Sequence, residues 1–442
     1  MKKTAFIFIS ILLLCYTEVF AQSKAWTLNQ CIEYARENNL QVKLEEISVE
    51  QAKNNYTQSK WDLAPSVNAG ASHNMSWGRS VNLQTLEIIR NKRSMSTSGS
   101  LSSSAVIFGG LSKEYTIKSN QTALKISTQQ VEKTKNDITI QITRAYLQLL
   151  LAREIEQSAK QTCLSTEEQV ERTAKLVDAG SQAYSTLLEV KAQLANERSQ
   201  LAAASSDVRT NKLTLIQLLD LSKEQEETFD IVAPDSSATE HLFLQGTVDE
   251  IYEQALELPQ IKIAEYNLEK SKYDYKAMRG RMMPTLSVQA GYGSYYTDSQ
   301  SGAFFSQFDH NKNPSVGFSL NIPIFNGLSA RFATKNAKLL RQSYSITLQL
   351  QKQSLYKEIQ MAYTEAITAL ERMRAAQENM RSIQESFTYT ENKFNVGMMN
   401  ATDYNIAKTN LFRAVSAYYQ AKYQYLFDLK ILDFYKGKVI NL

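Results

Sequence analysis

The chain has 442 residues, 43% of them hydrophobic and 21% charged, with a formal net charge of +4. So small an excess of charge gives no electrostatic case for a nucleic-acid partner. Only six prolines and fifteen glycines occur, almost all in short zones between long runs without helix breakers, which is the pattern of rods joined at punctuation points.

Lys2 and Lys3 precede an apolar run from Ala5 to Tyr16, and Val19-Phe20-Ala21 supplies a small-x-small cleavage pattern. Residues 1–21 therefore read as a signal peptide, and the mature chain is expected to begin at Gln22. Cys15 follows Leu14, where lipoprotein processing requires a small side chain, so lipidation is not expected. No second apolar stretch approaches the roughly 20 residues that a spanning helix needs. An exported chain of this kind is soluble, surface-bound or a barrel. Cys31 and Cys163 have no CxxC or Cys/His spacing and are expected as isolated buried thiols.

Thr27-Leu28-Asn29 caps a helix that is expected to run through Ile32, Ala35, Leu40, Leu44, Ile47 and Ala52 to about Leu63, where Pro65 ends it. Beyond the proline the period changes to two: Val67, Ala69 and Ala71 alternate with polar residues, and strands are expected at 66–77 and 97–108, joined by a polar link from Gly78 to Met95. From Leu111 to Asp178 there is no Gly or Pro. At about 1.5 Å per residue, such a helix is a rod of roughly 100 Å. Ile138, Ile142, Ala145, Leu149 and Ala152 fall at alternating steps of four and three, the seam of a coiled coil. The rod turns at Gly180 and returns through Leu187, Val190, Leu194, Leu201, Val208, Leu215 and Leu218. This returning helix is about half the rod's length, and laid end to end with the opening helix it would match the rod. Ser222 to Gly246, with Pro234, is a connector.

The plan then repeats. Ile107-Phe108-Gly109-Gly110-Leu111-Ser112 reappears as Ile324-Phe325-Asn326-Gly327-Leu328-Ser329, an offset of 217 positions. The same offset carries the seam onto Leu355, Ile359, Ala362, Ala366 and Ala369, and Gly180 onto Gly397. Thr247-Val248-Asp249 and Pro284 repeat the opening helix and its stop. The chain thus reads as an internal duplication, with repeats at 22–233 and 234–442. In the second repeat, strands are expected at 285–296 and 314–325. There Leu286, Val288, Ala290 and Tyr292 alternate with Ser, Gln and Gly, and Val316, Phe318, Leu320 and Ile322 alternate with Gly, Ser and Asn. An apolar face against a Gly/Ser/Asn face over some ten residues suits a membrane strand with lipid on one side and water on the other; the competing reading is an ordinary half-buried hairpin. Trp77, Tyr292, Tyr295 and Tyr296 would form an interfacial girdle. The link from Thr297 to Asn313 is polar, with Phe304, Phe305 and Phe308 added. Four strands cannot close a barrel, which takes about eight, so several copies must share one wall.

These features together resemble the TolC family of outer-membrane efflux channels: the duplicated plan, the Ile-Phe-Gly/Asn-Gly-Leu-Ser lead-in to each rod, and the turn from Gly397 through Asp403 to Ala407, which fits the family's Gly-x5-Asp-x3-Ala pattern. The resemblance implies a mainly α chain with membrane β structure. Four strands per chain would enter a shared trimeric 12-stranded barrel, and long helical hairpins would form a periplasmic tunnel. It further implies a homotrimer in outer-membrane lipid, with a periplasmic adaptor and an inner-membrane transporter as partners, in a tripartite efflux or type I secretion system. The family narrows its tunnel with acids six and nine positions beyond the turn glycine. Here Asp403 and Ile406 occupy those places in the second repeat, and Thr186 and Glu189 in the first. One acid per repeat remains, so a trimer would present rings of Asp403 and Glu189 that favour cations; as helix-start residues, both acids are also simply favourable to the helix dipole.

His73, His241 and His310 lie scattered over a strand, a linker and a loop, without metal or acid–base spacing, and phosphate loops and nucleophile elbows are absent. No enzyme activity, cofactor or metal site is expected. Two other classes compete. A periplasmic adaptor shares the coiled-coil hairpins but needs a lipoyl-like domain that the sequence does not contain. A structural coiled-coil stalk leaves the alternating segments unexplained.

Overall fold

The computed structural model describes residues 25–81, 85–233, 246–438 and 440. The expected signal peptide, Cys15, and the part of the connector from Pro234 to Gln245, with His241, lie outside these residues. In chain order the elements are α1 (Leu28–Asn38), α2 (Leu40–Trp61), β1 (Ser66–Val81), β2 (Ile88–Phe108), α3 (Ser112–Asp178), α4 (Tyr184–Leu219), α5 (Lys223–Thr228), α6 (Val248–Ala255), α7 (Pro259–Gly280), β3 (Thr285–Thr297), α8 (Phe304–His310), β4 (Asn313–Asn321), α9 (Ser329–Asn395) and α10 (Ala401–Tyr435). They fall into two compact units, and each unit draws on both halves of the sequence. One comprises residues 1–44, 131–258 and 353–442, and the other residues 45–130 and 259–352.

The two long helices have 67 residues each and start 217 positions apart. Each is entered through two successive left-handed residues, Gly110-Leu111 (φ 63° and 59°) and Gly327-Leu328 (φ 64° and 63°). A left-handed leucine costs roughly 1–2 kcal/mol, so the shared Gly-Leu pair is a strained corner kept in both halves. Both helices also end alike. Gly180 (φ 71°) donates to Val177 O and Ser181 to Leu176 O, while Gly397 (φ 77°) donates to Phe394 O and Met398 to Lys393 O. This is the Schellman arrangement, in which a left-handed glycine lets the last carbonyls find donors.

The opening helix is not one run. Reciprocal hydrogen bonds between Thr27 and Gln30 start α1, but Asn39 is extended (φ −61°, ψ 133°) and separates α1 from α2. Its side chain explains the break: Nδ2 donates to Leu218 O (3.1 Å) and Oδ1 accepts from Gln41 N (2.9 Å). Leu40 N donates to the Asp220 carboxylate (3.1 Å). The end of α4 is thereby joined to the start of α2. In the second half, Thr247 and Glu250 cap α6 in the same way. Pro259 opens α7, where its missing N–H costs nothing.

In the unit of residues 45–130 and 259–352, the four strands form one antiparallel sheet in the order β1-β2-β3-β4. Its register sorts the side chains. One face carries Ala69, Leu101, Tyr292, Val288, Phe318 and Leu320, and the other Gly70, Ser100, Ser102, Gly291, Gly293 and Gly317. The first hairpin is longer than expected: β1 reaches Val81 and β2 begins at Ile88, so most of the supposed Gly78–Met95 link is ladder. β4 stops at Asn321 rather than 325, because its partner β3 begins at Thr285, which pairs with Asn321. The helices of this unit line up in the order of the strands. Lys113 reaches Asp62 O beyond α2, Ser119 on α3 donates to Asp274 on α7, and Thr334 on α9 donates to Met278 O on α7. Where α3 leaves the sheet it touches the end of α7 so closely that a Cβ on Gly280 would lie 2.4 Å from Gly110 O.

Gly280→Ala is therefore expected to destabilise the protein by about 3 kcal/mol, the upper range for overpacking. Gly180→Ala, whose Cβ would meet nothing within 4 Å, is expected to cost only about 1 kcal/mol through its left-handed backbone. Denaturant midpoints of the purified variants check the contrast; equal losses would contradict it.

Candidate functional site

In the unit of residues 1–44, 131–258 and 353–442, the hairpins α3–α4 and α9–α10 are zipped by the expected seams. Ile138, Ile142, Ala145, Leu149 and Ala152 are buried, as are Leu355, Ile359, Ala362, Ala366 and Ala369. Cys31 and Cys163 are buried and unpaired with each other. The connector is strapped to α3. Trp26 and Ile231 form a parallel bridge, the Tyr146 hydroxyl sits between Trp26 O (3.2 Å) and Val232 O (2.5 Å), and Arg153 holds Ile231 O and the Asp230 carboxylate. Arg153 holds the Asp230 carboxyl below the usual carboxylate range despite partial burial.

At the hairpin turns the four residues expected at an aperture separate. Asp403 is exposed and engaged in the start of α10: its N–H donates to Asn400 Oδ1 (2.7 Å), and Asn400 Nδ2 donates to its carboxylate (2.8 Å). Glu189 on α4 and Ile406 on α10 line one groove of about 540 Å³, together with Gln193, Asn196, Thr402 and Arg413. Thr186 is half-buried in the first turn of α4, and neither it nor Asp403 lines the groove. The structure thus brings Glu189 and Ile406 together, while Asp403 has a local capping partner.

Sequence reasoning missed what lies behind the groove. Lys408 on α10 donates to Thr162 O (2.9 Å) and Thr166 Oγ1 on α3, and its ammonium stands 3.7 Å from Glu197 Oε2 on α4. Thr166 donates to the same carboxylate, and Gln193 Nε2 donates to its other oxygen at 2.8 Å. The charged side chains are only 6% and 3% exposed. Burial pulls the Lys408 pKa down, and the neighbouring carboxylate opposes that shift. The signal was present in the spacing. Lys408 follows Ala401 and Tyr404 by the seam's three-four step, and Glu197 follows Val190 and Leu194 in the same way. A charge at a seam position on one helix must find its partner on another. The cluster ties the first hairpin to the second. Two further contacts act nearer the turns: Arg172 donates to Asn395 Oδ1 (2.6 Å), and Tyr404 stacks on Phe394 with centroids 4.5 Å apart. Burial raises the Tyr404 hydroxyl pKa to about 12.

Among the described residues no group of His, Cys, Asp or Glu could hold a metal ion, and no helix is long and apolar enough to cross a membrane.

The family profile described as outer membrane efflux protein matches residues 31–220 and 251–437. Over 223 residues the chain is 22% identical to the outer membrane efflux protein BepC of Brucella suis, an alignment covering 50% of this chain and 46% of the relative, so it spans about half the relative's length. The fold matches crystal structures of CusC, with a TM-score of 0.80 at 17% identity over 95% of this chain and 96% of that one. It also matches the outer membrane channel CmeC of Campylobacter jejuni, at 0.79 and 19% over 95% and 88%. The open-state MtrE channel of Neisseria gonorrhoeae matches at 0.72 and 18% over 93% and 88%.

Removing one member of a buried pair strands the other. Lys408→Met is expected to destabilise the protein by about 3–5 kcal/mol, and Lys408→Met with Glu197→Leu to recover most of that loss. Thermal unfolding of the two single variants and the double variant checks this; additive losses would contradict it.

Proposed function

Because the chain belongs to the outer membrane efflux protein family, with the outer membrane as its location, we propose that three copies form a passive channel from periplasm to exterior. The observation that carries this reading is the open sheet. Four strands with one apolar and one Gly/Ser/Asn face end at two unpaired edges, β1 and β4. Unsatisfied backbone at an edge is intolerable in lipid, so the sheet must close. Three chains give twelve strands, an even number within the range of bacterial barrels. The helices support the same closure. α9 exposes Leu339, Leu340, Ile346 and Leu350, and α2 exposes Ile47, an apolar strip that a neighbouring copy would cover. A coiled-coil stalk would have no use for such a sheet.

In this reading 22–233 and 234–442 are two copies of one ancestral unit, and 1–21 is removed on export. The helical hairpins form the periplasmic tunnel. A periplasmic adaptor docks on them, and an inner-membrane transporter supplies energy and selects cargo. Asp403 and Glu189 form threefold acidic rings near the turns at Gly180 and Gly397, with Thr186 and Ile406 at the two remaining aperture positions. The Lys408–Glu197–Thr166 cluster holds the two hairpins of one chain together, so opening has to bend or break that tie. No catalytic chemistry enters this account.

Single-channel recording in planar bilayers tests it. The protein should conduct with a preference for cations, and divalent cations should reduce the current. Asp403→Ala with Glu189→Ala should weaken both the preference and the block severalfold. Unchanged selectivity and block in the double variant would remove these residues from the gate, and absence of conductance in the wild type would remove the channel.

A further inference from the structure

The link between β3 and β4 carries a short helix, α8, whose position in the fold is unusual. It lies on the apolar face of the sheet. Ser294, on that face beside Gly99 in the β2–β3 register, donates through Oγ to Phe308 O. The Phe308 ring stands 3.7 Å from where a Cβ on Gly99 would be, and the Phe304 ring packs on Tyr296 with centroids 5.0 Å apart. Tyr296, Ser294 and Tyr292 share one side of β3, the side that continues down through Ala290, Val288 and Leu286. The link therefore folds over the apolar wall and away from the Gly/Ser face.

This loop is held in place by buried polar groups. Gln307 is 3% exposed; its Oε1 accepts from Thr297 N (3.0 Å) and its Nε2 donates to Gln300 O (2.8 Å) and Gly302 O (3.1 Å). Asn311 Nδ2 donates to Tyr295 O (2.9 Å). Within this framework Phe304 packs against Phe308 while Phe305 projects, 83% exposed. A loop that only joined two strands would have no reason to fix a phenylalanine in water, where burying the ring is worth about 1.5–3 kcal/mol.

Height along the barrel identifies what covers it. From Leu286 to Ser294 is eight residues, roughly 27 Å along the strand, or about 20 Å along the membrane normal at a tilt near 40°. The apolar band of an outer-membrane barrel is about 25 Å tall and flanked by aromatic girdles. Counted from Leu286, the helix therefore lies about 5 Å inside the upper limit of such a band, on the same side as the band.

We propose that α8 is a rigid interfacial anchor that inserts Phe305 into the lipid at the outer rim of the barrel. The inference rests on the sheet's apolar face being the lipid face, and the test separates the two claims. The full-length protein is reconstituted in phosphatidylcholine–phosphatidylglycerol vesicles as Phe305→Cys and, separately, Phe318→Cys. Each is labelled with a polarity-sensitive fluorophore, Cys31 and Cys163 being shielded by burial. The Phe305 label should emit to the blue of its position in water and be quenched several times more strongly by a shallow nitroxide lipid than by aqueous iodide. If the Phe318 label is quenched by lipid but the Phe305 label only by iodide, the anchor is refuted and the barrel stands. A Phe305 label quenched by neither lies against protein, which also refutes the anchor. If the Phe318 label itself escapes lipid quenching, the reading of the sheet fails, and the anchor with it.

Discussion

An open sheet edge cannot be left in hydrocarbon, and this molecule has two. β1 and β4 are the edges of the sheet, and among the described residues neither pairs with a further strand on its outer side. In water such edges are blunted by charge, proline or a covering helix; in a bilayer only closure satisfies them. On the proposed reading the single chain is thus incomplete by itself. The alternation of Val, Phe and Leu with Gly, Ser and Asn across β3 and β4 suits the proposed reading, in which one side meets lipid and the other water. The apolar strip on α9 carries the same incompleteness into the helices.

The helical part solves a different problem, which is to keep 67-residue helices in one register. A seam of Ile, Leu and Ala is permissive, because sliding by a heptad costs little when every layer is alike. The buried Lys408–Glu197–Thr166 cluster removes that freedom, since displacement in either direction leaves a charge buried without its partner. Asn39, Leu40 and Asp220 fix the junction of α4 with α2 by polar bonds that only one alignment can make. A tie of this kind also sets a barrier to separating the two hairpins.

Much of this was legible in the residues. Absence of Gly and Pro gave the long helices to within a residue, and the repeated Gly-Leu-Ser lead-in marked the same left-handed corner twice. Period-two alternation located all four strands. What escaped was of two kinds. Helix α1 was merged with α2 because Asn39 breaks the helix through tertiary partners at Leu218, which no local pattern displays; the second-half helix was likewise read as one run to Met283, although it breaks at Pro259. β2 was begun late because its outer half pairs with β1 through residues such as Arg93 and Ser94 that look like a loop. The polar groups near the hairpin turns were visible only in part. Asp403 and Glu189 could be placed by their distance from a glycine, but Glu197 and Lys408 were passed over because a charge in an apolar seam reads as noise until its partners are seen.

The central claim is that the sheet closes only between chains, three at a time. Cysteines introduced at Ser72 on β1 and Gly317 on β4, one on each outer strand, test it when the protein is oxidised in native outer membranes and separated without reductant. The account predicts a ladder of monomer, dimer and trimer that ends at three. A ladder running past three, or a bond formed only within one chain, would contradict it.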